Sequence, residues 1–180
     1  MKAIHVLPLG GADPSLAEAI SGPLRRTFRT EVAIREFSFN AEQFLDDGRS
    51  QYNSTGILLH LKEAYPPLKS GTGVGILALV PFDLFVPVLT YVFGEAEVGG
   101  NVAVVSYHRL APQRYGLPPD DALLRDRLIK EVVHEIGHMF SLIHCAELAC
   151  VMHSSSYVEE IDLKEGSLCR ICLSELSHRR

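Results

Sequence analysis

The sequence predicts an α+β fold built on a mixed β-sheet. In the first part of the chain, segments with the alternating pattern of β-strands are separated by segments with the residue spacing of helices. Further along the chain, strand-like segments come in pairs. Strands and helices that alternate first, followed by strand pairs, imply a sheet that contains both parallel and antiparallel neighbours.

The first three elements follow this alternation. Lys2 to Leu9 is rich in alternating aliphatic residues and predicts the first strand. Asp13 or Ser15 can cap a helix that runs to about Phe28, since leucine and isoleucine recur there at helical spacing. Thr30 to Phe37 alternates again and predicts the second strand.

The middle of the chain adds one helix and three strands. Asn53 or Ser54 can cap the helix, and Pro66 and the proline after it must stop it. Gly99 and Gly100 predict a turn between the last two strands. The strands are predicted at Gly75 to Val80, Leu89 to Phe93 and Val102 to Tyr107.

The most hydrophobic stretch, Gly73 to Phe93, is as long as a membrane span. Pro81, Asp83 and Pro87 interrupt it, and it is rich in valine, phenylalanine and tyrosine. We therefore expect two buried strands with a turn between them and no membrane association.

A last long helix carries the residues that bear chemistry. Two prolines and Asp120 open it. Apolar residues recur on one side at steps of three or four, which predicts that this side faces the core. The apolar residues are Leu128, Val132, Ile136 and Met139, and the opposite side holds His134, Glu135 and His138.

Size and charge narrow the class of protein. A chain of 180 residues with 47% hydrophobic and 22% charged residues is typical of one globular domain. The formal net charge of −5 comes with no basic stripe, which argues against a nucleic-acid partner. The N-terminal residues have an apolar stretch broken by His5 and Pro8 and no clear cleavage site, so we expect a cytoplasmic protein.

His134 and His138 are four residues apart, so a helix places both imidazoles on one face, within reach of a single cation. Glu135 lies roughly 60° around the helix axis from His138, because each residue rotates the helix by about 100°. It can therefore reach a water beside the metal without displacing a ligand. A zinc ion with three protein ligands keeps a position open for water and lowers the pKa of that water to about 7.

The third candidate ligand is His144, six residues after His138. On a continuous helix its side chain would point away from the other two histidines, so a turn must lie between them. A chance match of His-Glu-x-x-His alone is the competing explanation, and the apolar helix face and the third histidine both argue against it.

The cysteines form a second unit. Cys145 and Cys150 enclose four residues, and Cys169 and Cys172 enclose two, which are spacings that close a tetrahedral zinc site. Such a site has no open position, so its zinc would be structural. Because Cys145 follows His144 directly, the structural zinc ion would also hold the third catalytic ligand in place. A redox pair at Cys169 and Cys172 is the alternative, although no thioredoxin-like strand and helix surround it.

Together these motifs resemble the archaemetzincins, which are small metzincin-like zinc proteins described as metallopeptidases with an added cysteine cluster. The resemblance covers about the last third of the chain, and Val92-Phe-Gly-Glu-Ala-Glu97 resembles the family less specifically. The motif reads His134-Glu-Ile-Gly-His138-Met-Phe-Ser141-Leu-Ile-His144-Cys145, then Cys150, Met152 and Cys169-x-x-Cys172.

By this resemblance, His134, His138 and His144 match the catalytic zinc ligands and Glu135 the general base. Met152 matches the methionine beneath the metal, which supports the site by packing. The resemblance also implies a metzincin-like α+β fold. In it, an upper lobe with a mixed sheet and the active-site helix, to about residue 141, precedes a small zinc-stapled C-terminal lobe at about 142–180. An extended substrate would pair with an edge strand, for which we identify Phe93 to Val98.

The chain departs from the metzincin pattern in two places. Ser141 stands where glycine is usual, and a left-handed turn there would cost a residue with a side chain about 1–2 kcal/mol unless the turn uses other angles. Some metzincins place a tyrosine two residues beyond the methionine. Here that residue is Ser154, and the nearby Tyr157 is assigned no role.

The sequence thus predicts a monomeric zinc metallopeptidase that hydrolyses peptide bonds in short peptides or exposed termini. It would hold two zinc ions per chain, one catalytic and one structural. A zinc-stabilised module that binds peptides or proteins with little turnover is the second hypothesis, which the presence of Glu135 disfavours. A redox switch through the cysteines is the third.

Overall fold

The computed structural model describes residues 1–69 and 73–179 of the protein, with Lys69 described by its backbone alone. Two β-sheets organise these residues. A five-stranded sheet has the order β2-β1-β5-β8-β7, and a small three-stranded sheet has the order β3-β4-β6. The strands are β1 (Ala3–Pro8), β2 (Glu31–Ile34), β3 (Leu45–Asp46), β4 (Gln51–Asn53), β5 (Val74–Val80), β6 (Leu84–Phe85), β7 (Gly94–Ala96) and β8 (Val102–Ser106).

The five-stranded sheet is mixed, as predicted. Strand β1 runs parallel to β2 and β5, and β5 runs parallel to β8. Strand β7 pairs with β8 in the antiparallel sense, with Glu95 opposite Val104. Strand β7 therefore forms one edge of the sheet and β2 the other, which confirms the edge that the sequence predicted near Phe93 to Val98.

Apolar residues cover both faces of this sheet because successive side chains of a strand point to opposite faces. In β5, Leu77 and Leu79 face a core that also contains residues of the first and the longest helices. Ile76, Ala78 and Val80 face a second core, built mainly with a helix on the other face. The sheet is thus buried between two layers.

Three helices begin where the sequence predicted. The side chains of Asp13, Asn53 and Asp120 accept hydrogen bonds from backbone N–H groups in the first turns, so each satisfies a donor that has no partner inside its helix. The helices are α1 (Pro14–Phe28), α2 (Ser54–Ala64), α3 (Pro66–Lys69), α4 (Asp121–Met139), α5 (Val158–Leu163) and α6 (Arg170–His178), with short 3₁₀ turns at Ala41–Phe44 and Pro112–Tyr115.

One predicted strand, Leu89 to Phe93, is wrong. A turn closed by a hydrogen bond from the N–H of Leu89 to the carbonyl of Val86 occupies its start, and only Val92 makes a bridge, to Leu84. Regular pairing begins at Gly94, with β7. The apolar stretch from residue 73 nevertheless forms β5, a turn and the short β6, and no described helix is long and apolar enough to cross a membrane.

Helix α4 lies at the centre of the molecule. Its predicted apolar side is buried in the same core as α1. The opposite side, with His134 and Glu135, is buried as well. The chain that follows α4 covers this side, because Val151, Met152, Ile161 and Leu176 belong to the same core. The segment after residue 141 thus encloses the end of the helix that carries the histidines.

Candidate functional site

Helix α4 brings His134 and His138 together one turn apart, as predicted. Their Nε2 atoms are 3.1 Å apart, and their ring planes are perpendicular, with centroids 4.7 Å apart. His134 is buried and His138 is half-buried. The two imidazoles therefore present one nitrogen each to a common point.

A left-handed residue ends helix α4 and returns the chain toward this point. Ser141 has a φ of 63°, its N–H donates to the carbonyl of His138, and the N–H of Leu142 donates to the carbonyl of Gly137. These two bonds form a Schellman motif, in which glycine is the usual left-handed residue. The turn thus keeps left-handed angles even with serine.

Because of this turn, His144 lies beside the other two histidines. Its ring centroid is 5.3 Å from that of His134 and 5.0 Å from that of His138. One nitrogen from each of the three rings lies within 4.8 Å of the others. His144 is the exposed member of the three, so the cluster opens toward solvent on its side.

Backbone carbonyls fix the orientation of two of these rings. Nδ1 of His134 lies 2.9 Å from the carbonyl oxygen of Val151, and Nδ1 of His138 lies 2.8 Å from that of Leu142. A carbonyl oxygen only accepts, so each Nδ1 carries the proton and donates. Each neutral ring then presents an Nε2 lone pair to the other.

The three histidines fit a zinc ion. Two lone pairs 3.1 Å apart repel each other unless a cation lies between them. Tetrahedral Zn–N bonds of about 2.0–2.1 Å place ligand nitrogens about 3.3 Å apart, close to the separation seen here. Second nitrogens that donate to carbonyls are also usual for metal-binding histidines.

The environment shifts the pKa values of these groups toward their uncharged forms. Burial is the main cause that lowers the pKa of His134, His138 and His144, so all three stay neutral. Burial, followed by the charges of Glu131 and Glu95, raises the pKa of Glu135 well above its ordinary value. Neutral imidazoles are the form that binds metals.

Two glycines allow close contacts that the sequence reasoning missed. A Cβ at Gly94 would lie 2.8 Å from Cγ of Glu135 and 2.9 Å from the carbonyl oxygen of Val104. A Cβ at Gly137 would collide with the sulfur of Met152. The edge strand thus lies directly against Glu135, and Met152 packs against helix α4, at the position next to His138.

The four cysteines also converge, as predicted. Sγ of Cys145 is 3.8 Å from Sγ of Cys169, and Sγ of Cys150 is 3.8 Å from Sγ of Cys172. All four are free thiols whose sulfurs lie within 4.8 Å of one another. Zn–S bonds of about 2.3 Å in a tetrahedron would place the sulfurs about 3.8 Å apart, so the cluster fits zinc.

Backbone hydrogen bonds favour thiolate at this cluster. The N–H of Cys172, together with neighbouring thiols, lowers the pKa of Cys169 to about 7. Burial raises the pKa of Cys150 and of Cys172. A thiolate is the form that binds metal, and Cys169 at the opening of α6 reaches it more readily than Cys150 or Cys172.

The histidine and cysteine clusters are joined through the backbone. The N–H of Cys145 donates to the carbonyl of Met152, and Nδ1 of His153 lies 2.8 Å from the carbonyl oxygen of Cys145. His153 therefore fixes the loop that carries His144. Two of the remaining histidines pair elsewhere, His5 with Tyr65 and His108 with the carbonyl of Pro81.

A cleft of about 570 Å³ contains the histidines and Glu135. Strand β7 and the residues before it form one wall, and the loop after Met152 forms the other, with Tyr157 in its lining. The sequence reasoning missed Glu131, Ser155 and Lys164 in this lining. Helical spacing could have identified Glu131, one turn before Glu135, but no local signal marks the other two.

A mixed sheet beside a helix with His-Glu-x-x-His, and a third histidine beyond a turn, define the class of zinc-dependent metallopeptidases. Comparisons with known proteins agree with this class. The model of peptidase family M54 matches residues 30–178. Archaemetzincin from Methanocaldococcus jannaschii is 41% identical, over 98% of this chain and 93% of its own length.

Two crystal structures share the fold. Archaemetzincin from Methanopyrus kandleri superposes with a TM-score of 0.85 at 30% identity, covering 99% of this chain and 94% of that one. A zinc-dependent peptidase from Methanocorpusculum labreanum superposes with a TM-score of 0.83 at 30% identity, covering 96% and 99%. The chain therefore belongs to peptidase family M54, the archaemetzincins, and is a zinc metallopeptidase.

Proposed function

We propose that the cleft hydrolyses peptide bonds, with His134, His138 and His144 as ligands of a catalytic zinc ion and Glu135 as general base. The convergence of three imidazole nitrogens beside a buried glutamate carries this proposal. Zinc bound there would supply an open coordination position, a water with a pKa of about 7 and polarisation of the substrate carbonyl.

In this proposal Glu135 moves the proton. It accepts a proton from the attacking water as the oxygen bonds to the carbonyl carbon, and it donates that proton to the leaving amine as the C–N bond breaks. The raised pKa of Glu135 makes its carboxylate a better proton acceptor than an exposed glutamate.

Strand β7 orients the substrate. It is an edge of the sheet, and its residues line the cleft beside Glu135. An extended peptide can add to this edge as a further strand through backbone hydrogen bonds. Gly94 keeps the strand close to Glu135, so the scissile bond of a bound peptide would lie beside the base.

The cysteines and Met152 complete the proposed site. Cys145, Cys150, Cys169 and Cys172 would hold a second zinc ion that closes the loop behind His144. Met152 supports helix α4 by packing against Gly137 and binds no metal. The second zinc ion would therefore stabilise the position of the third catalytic ligand.

Cleavage of a peptide library by the zinc-loaded protein tests the proposal. We expect Glu135→Ala and Glu135→Gln to lower turnover by ~10²–10⁴-fold, because each removes the base. Glu18→Ala, at an exposed position of α1, is the matched control and should cleave like the unmodified protein. Equal or absent turnover in the unmodified protein and the Glu135 variants, with peptides still bound, would contradict hydrolysis and favour a peptide-binding module.

A further inference from the structure

The lining of the cleft includes three polar groups that the proposed mechanism does not use. Glu131 is 4% exposed and Lys164 is 3% exposed, and Ser155 accompanies them in the lining of the cleft. Of the buried side-chain oxygens without a hydrogen-bond partner among the described residues, two lie here, Oε1 of Glu131 and Oγ of Ser155.

The ammonium group of Lys164, in the same lining, has N–H donors left for a further hydrogen bond. Its ammonium group donates to the carbonyl of His153 at 2.7 Å. It lies 3.6 Å from Oε1 of Glu131, which is an ion-pair distance but too long for a hydrogen bond. An ammonium group carries three N–H donors. The lining of the cleft therefore offers a cationic donor, a hydroxyl and a carboxylate acceptor.

Buried polar groups without hydrogen-bond partners are rare in proteins and cost stability, so an incoming partner that bonds to these groups would be favoured. The chemistry of the three residues selects that partner. A carboxylate would accept from Lys164 but would face the carboxylate of Glu131. An ammonium or guanidinium group would pair with Glu131 but would be repelled by the positive charge of Lys164.

A carboxamide offers a hydrogen-bonding partner to each of the three groups. Its oxygen can accept from Lys164, and its NH₂ group can donate to Glu131 and to Ser155. We propose that Glu131, Ser155 and Lys164 form a subsite for the side-chain carboxamide of glutamine or asparagine in a peptide bound in the cleft.

This inference rests on the proposed function, because it assigns the side-chain preference of the same peptide-binding cleft. The subsite is tested with the zinc-loaded protein and a set of hexapeptides. The peptides differ in one residue, which is glutamine, asparagine, glutamate, lysine or leucine, and that residue is placed at each position in turn. We expect cleavage of the carboxamide peptides to exceed that of the others about 10- to 100-fold at one position. A site built for hydrogen bonding rejects side chains that lack the matching donors and acceptors.

Two variants assign the preference to the subsite. Glu131→Gln removes the carboxylate that repels acidic side chains, so peptides with glutamate at that position should gain relative to glutamine. Lys164→Met removes the cation, so peptides with lysine should gain. Glu175→Gln is the matched control, because it removes one charge of an exposed ion pair, with Arg179, on α6 outside the lining of the cleft, and it should leave the preference unchanged.

A measurement of peptide binding distinguishes failure of the proposed subsite from failure of the proposed hydrolysis. The same peptides are titrated calorimetrically into zinc-loaded Glu135→Ala. Carboxamide preference in binding without any cleavage by the unmodified protein would contradict the proposed hydrolysis and support the subsite. Cleavage with no carboxamide preference at any position, in the unmodified protein, would overturn the subsite and leave hydrolysis standing.

Discussion

Single residues set how closely the elements around the three histidines approach one another. Gly94 allows the edge strand to touch Glu135, and Gly137 allows Met152 to touch helix α4. Ser141 holds the left-handed conformation that returns the chain to His144. None of the three takes part in the proposed chemistry, yet each fixes the position of a group that does.

Gly94→Ala should impair cleavage more than folding. The new Cβ would lie 2.9 Å from the backbone carbonyl of Val104 and 2.8 Å from Cγ of Glu135. The carbonyl cannot yield without moving β8, so Glu135 or the edge strand must shift. Misplacement of a reacting group by about 1 Å costs ~10²-fold in rate, and we expect a loss of ~10–100-fold in kcat/KM.

The control for this variant is Gly166→Ala, whose Cβ would meet only Cγ of Lys130, at 4.0 Å. It should retain full activity. Zinc content should be the same in both variants, since neither touches a histidine. Full activity of Gly94→Ala would show that the edge strand does not position Glu135.

Ser141→Gly should stabilise the protein. Left-handed angles cost a residue with a side chain about 1–2 kcal/mol, and glycine avoids this cost. Part of the gain in stability is lost again, because glycine loses more conformational entropy on folding than serine does. We expect the free energy of unfolding to rise by ~1 kcal/mol in denaturant titrations of the zinc-loaded protein. Ser50→Gly, at a φ of 54° far from the site in sequence, should give a similar gain, and a loss in Ser141→Gly alone would mean that the serine side chain stabilises the turn.

At the scale of elements, a chain of contacts fixes the rim of the cleft. Both oxygens of Asp83 accept from Arg109 at 2.6 Å, and one also accepts from Gln51. The guanidinium group of Arg109 lies over the ring of Tyr91, 3.9 Å from its centroid. The hydroxyl of Tyr91 donates to the carbonyl of Ser156. The turn before β6 thereby holds the loop that contributes Ser155.

The Asp83–Arg109 pair predicts an acid-dependent loss of stability. Burial alone would raise the pKa of Asp83, but hydrogen bonds and charge from Arg109 outweigh it, so its pKa is lowered. A carboxyl group with a lowered folded-state pKa stabilises the protein above its unfolded pKa of about 4, and that stability is lost as the pH falls through the folded value.

Unfolding free energies of the unmodified protein and Asp83→Asn, measured between neutral pH and pH 3, check this sign. The difference should be largest above about pH 5 and should shrink below about pH 4. Loss of zinc in acid affects both proteins and cancels in the difference. A difference that stays constant across the range would show that the charge of Asp83 contributes nothing.

Much of the fold follows from local sequence signals. Asp13, Asn53 and Asp120 cap their helices as predicted because capping needs only a side chain and its next residues. The strand at Leu89 to Phe93 fails because a turn at Val86 takes those residues out of the ladder, although their composition suits a strand. Strand propensity describes a half-buried surface, and pairing decides whether such a surface forms.

Some residues of the candidate site could likewise be predicted from local sequence, and others could not. His134, Glu135 and His138 share a helix, so their spacing predicts their convergence. Lys164 reaches Glu131 from 33 positions away in sequence, through the packing of α5 on α4, and no local pattern encodes that contact. The division near residue 141 into two subdomains stays a prediction.

At the scale of the whole molecule, the order of the elements places two candidate metal-binding clusters one after the other. The central helix supplies two histidines, the turn supplies the third, and the next residue begins the cysteine cluster. The last third of the chain thus closes over α4 and completes the cleft against the edge strand. One folded unit thus contains the proposed metal centre, the proposed base and the edge strand proposed to bind substrate.

X-ray absorption at the zinc edge of the metal-loaded protein tests the central claim most directly. With two zinc ions per chain, one in each cluster, we predict equal shares of nitrogen or oxygen ligands at about 2.0 Å and sulfur ligands at about 2.3 Å. One zinc ion per chain with only sulfur ligands would show that the three imidazoles do not hold a metal, and the proposed hydrolysis would fail with them.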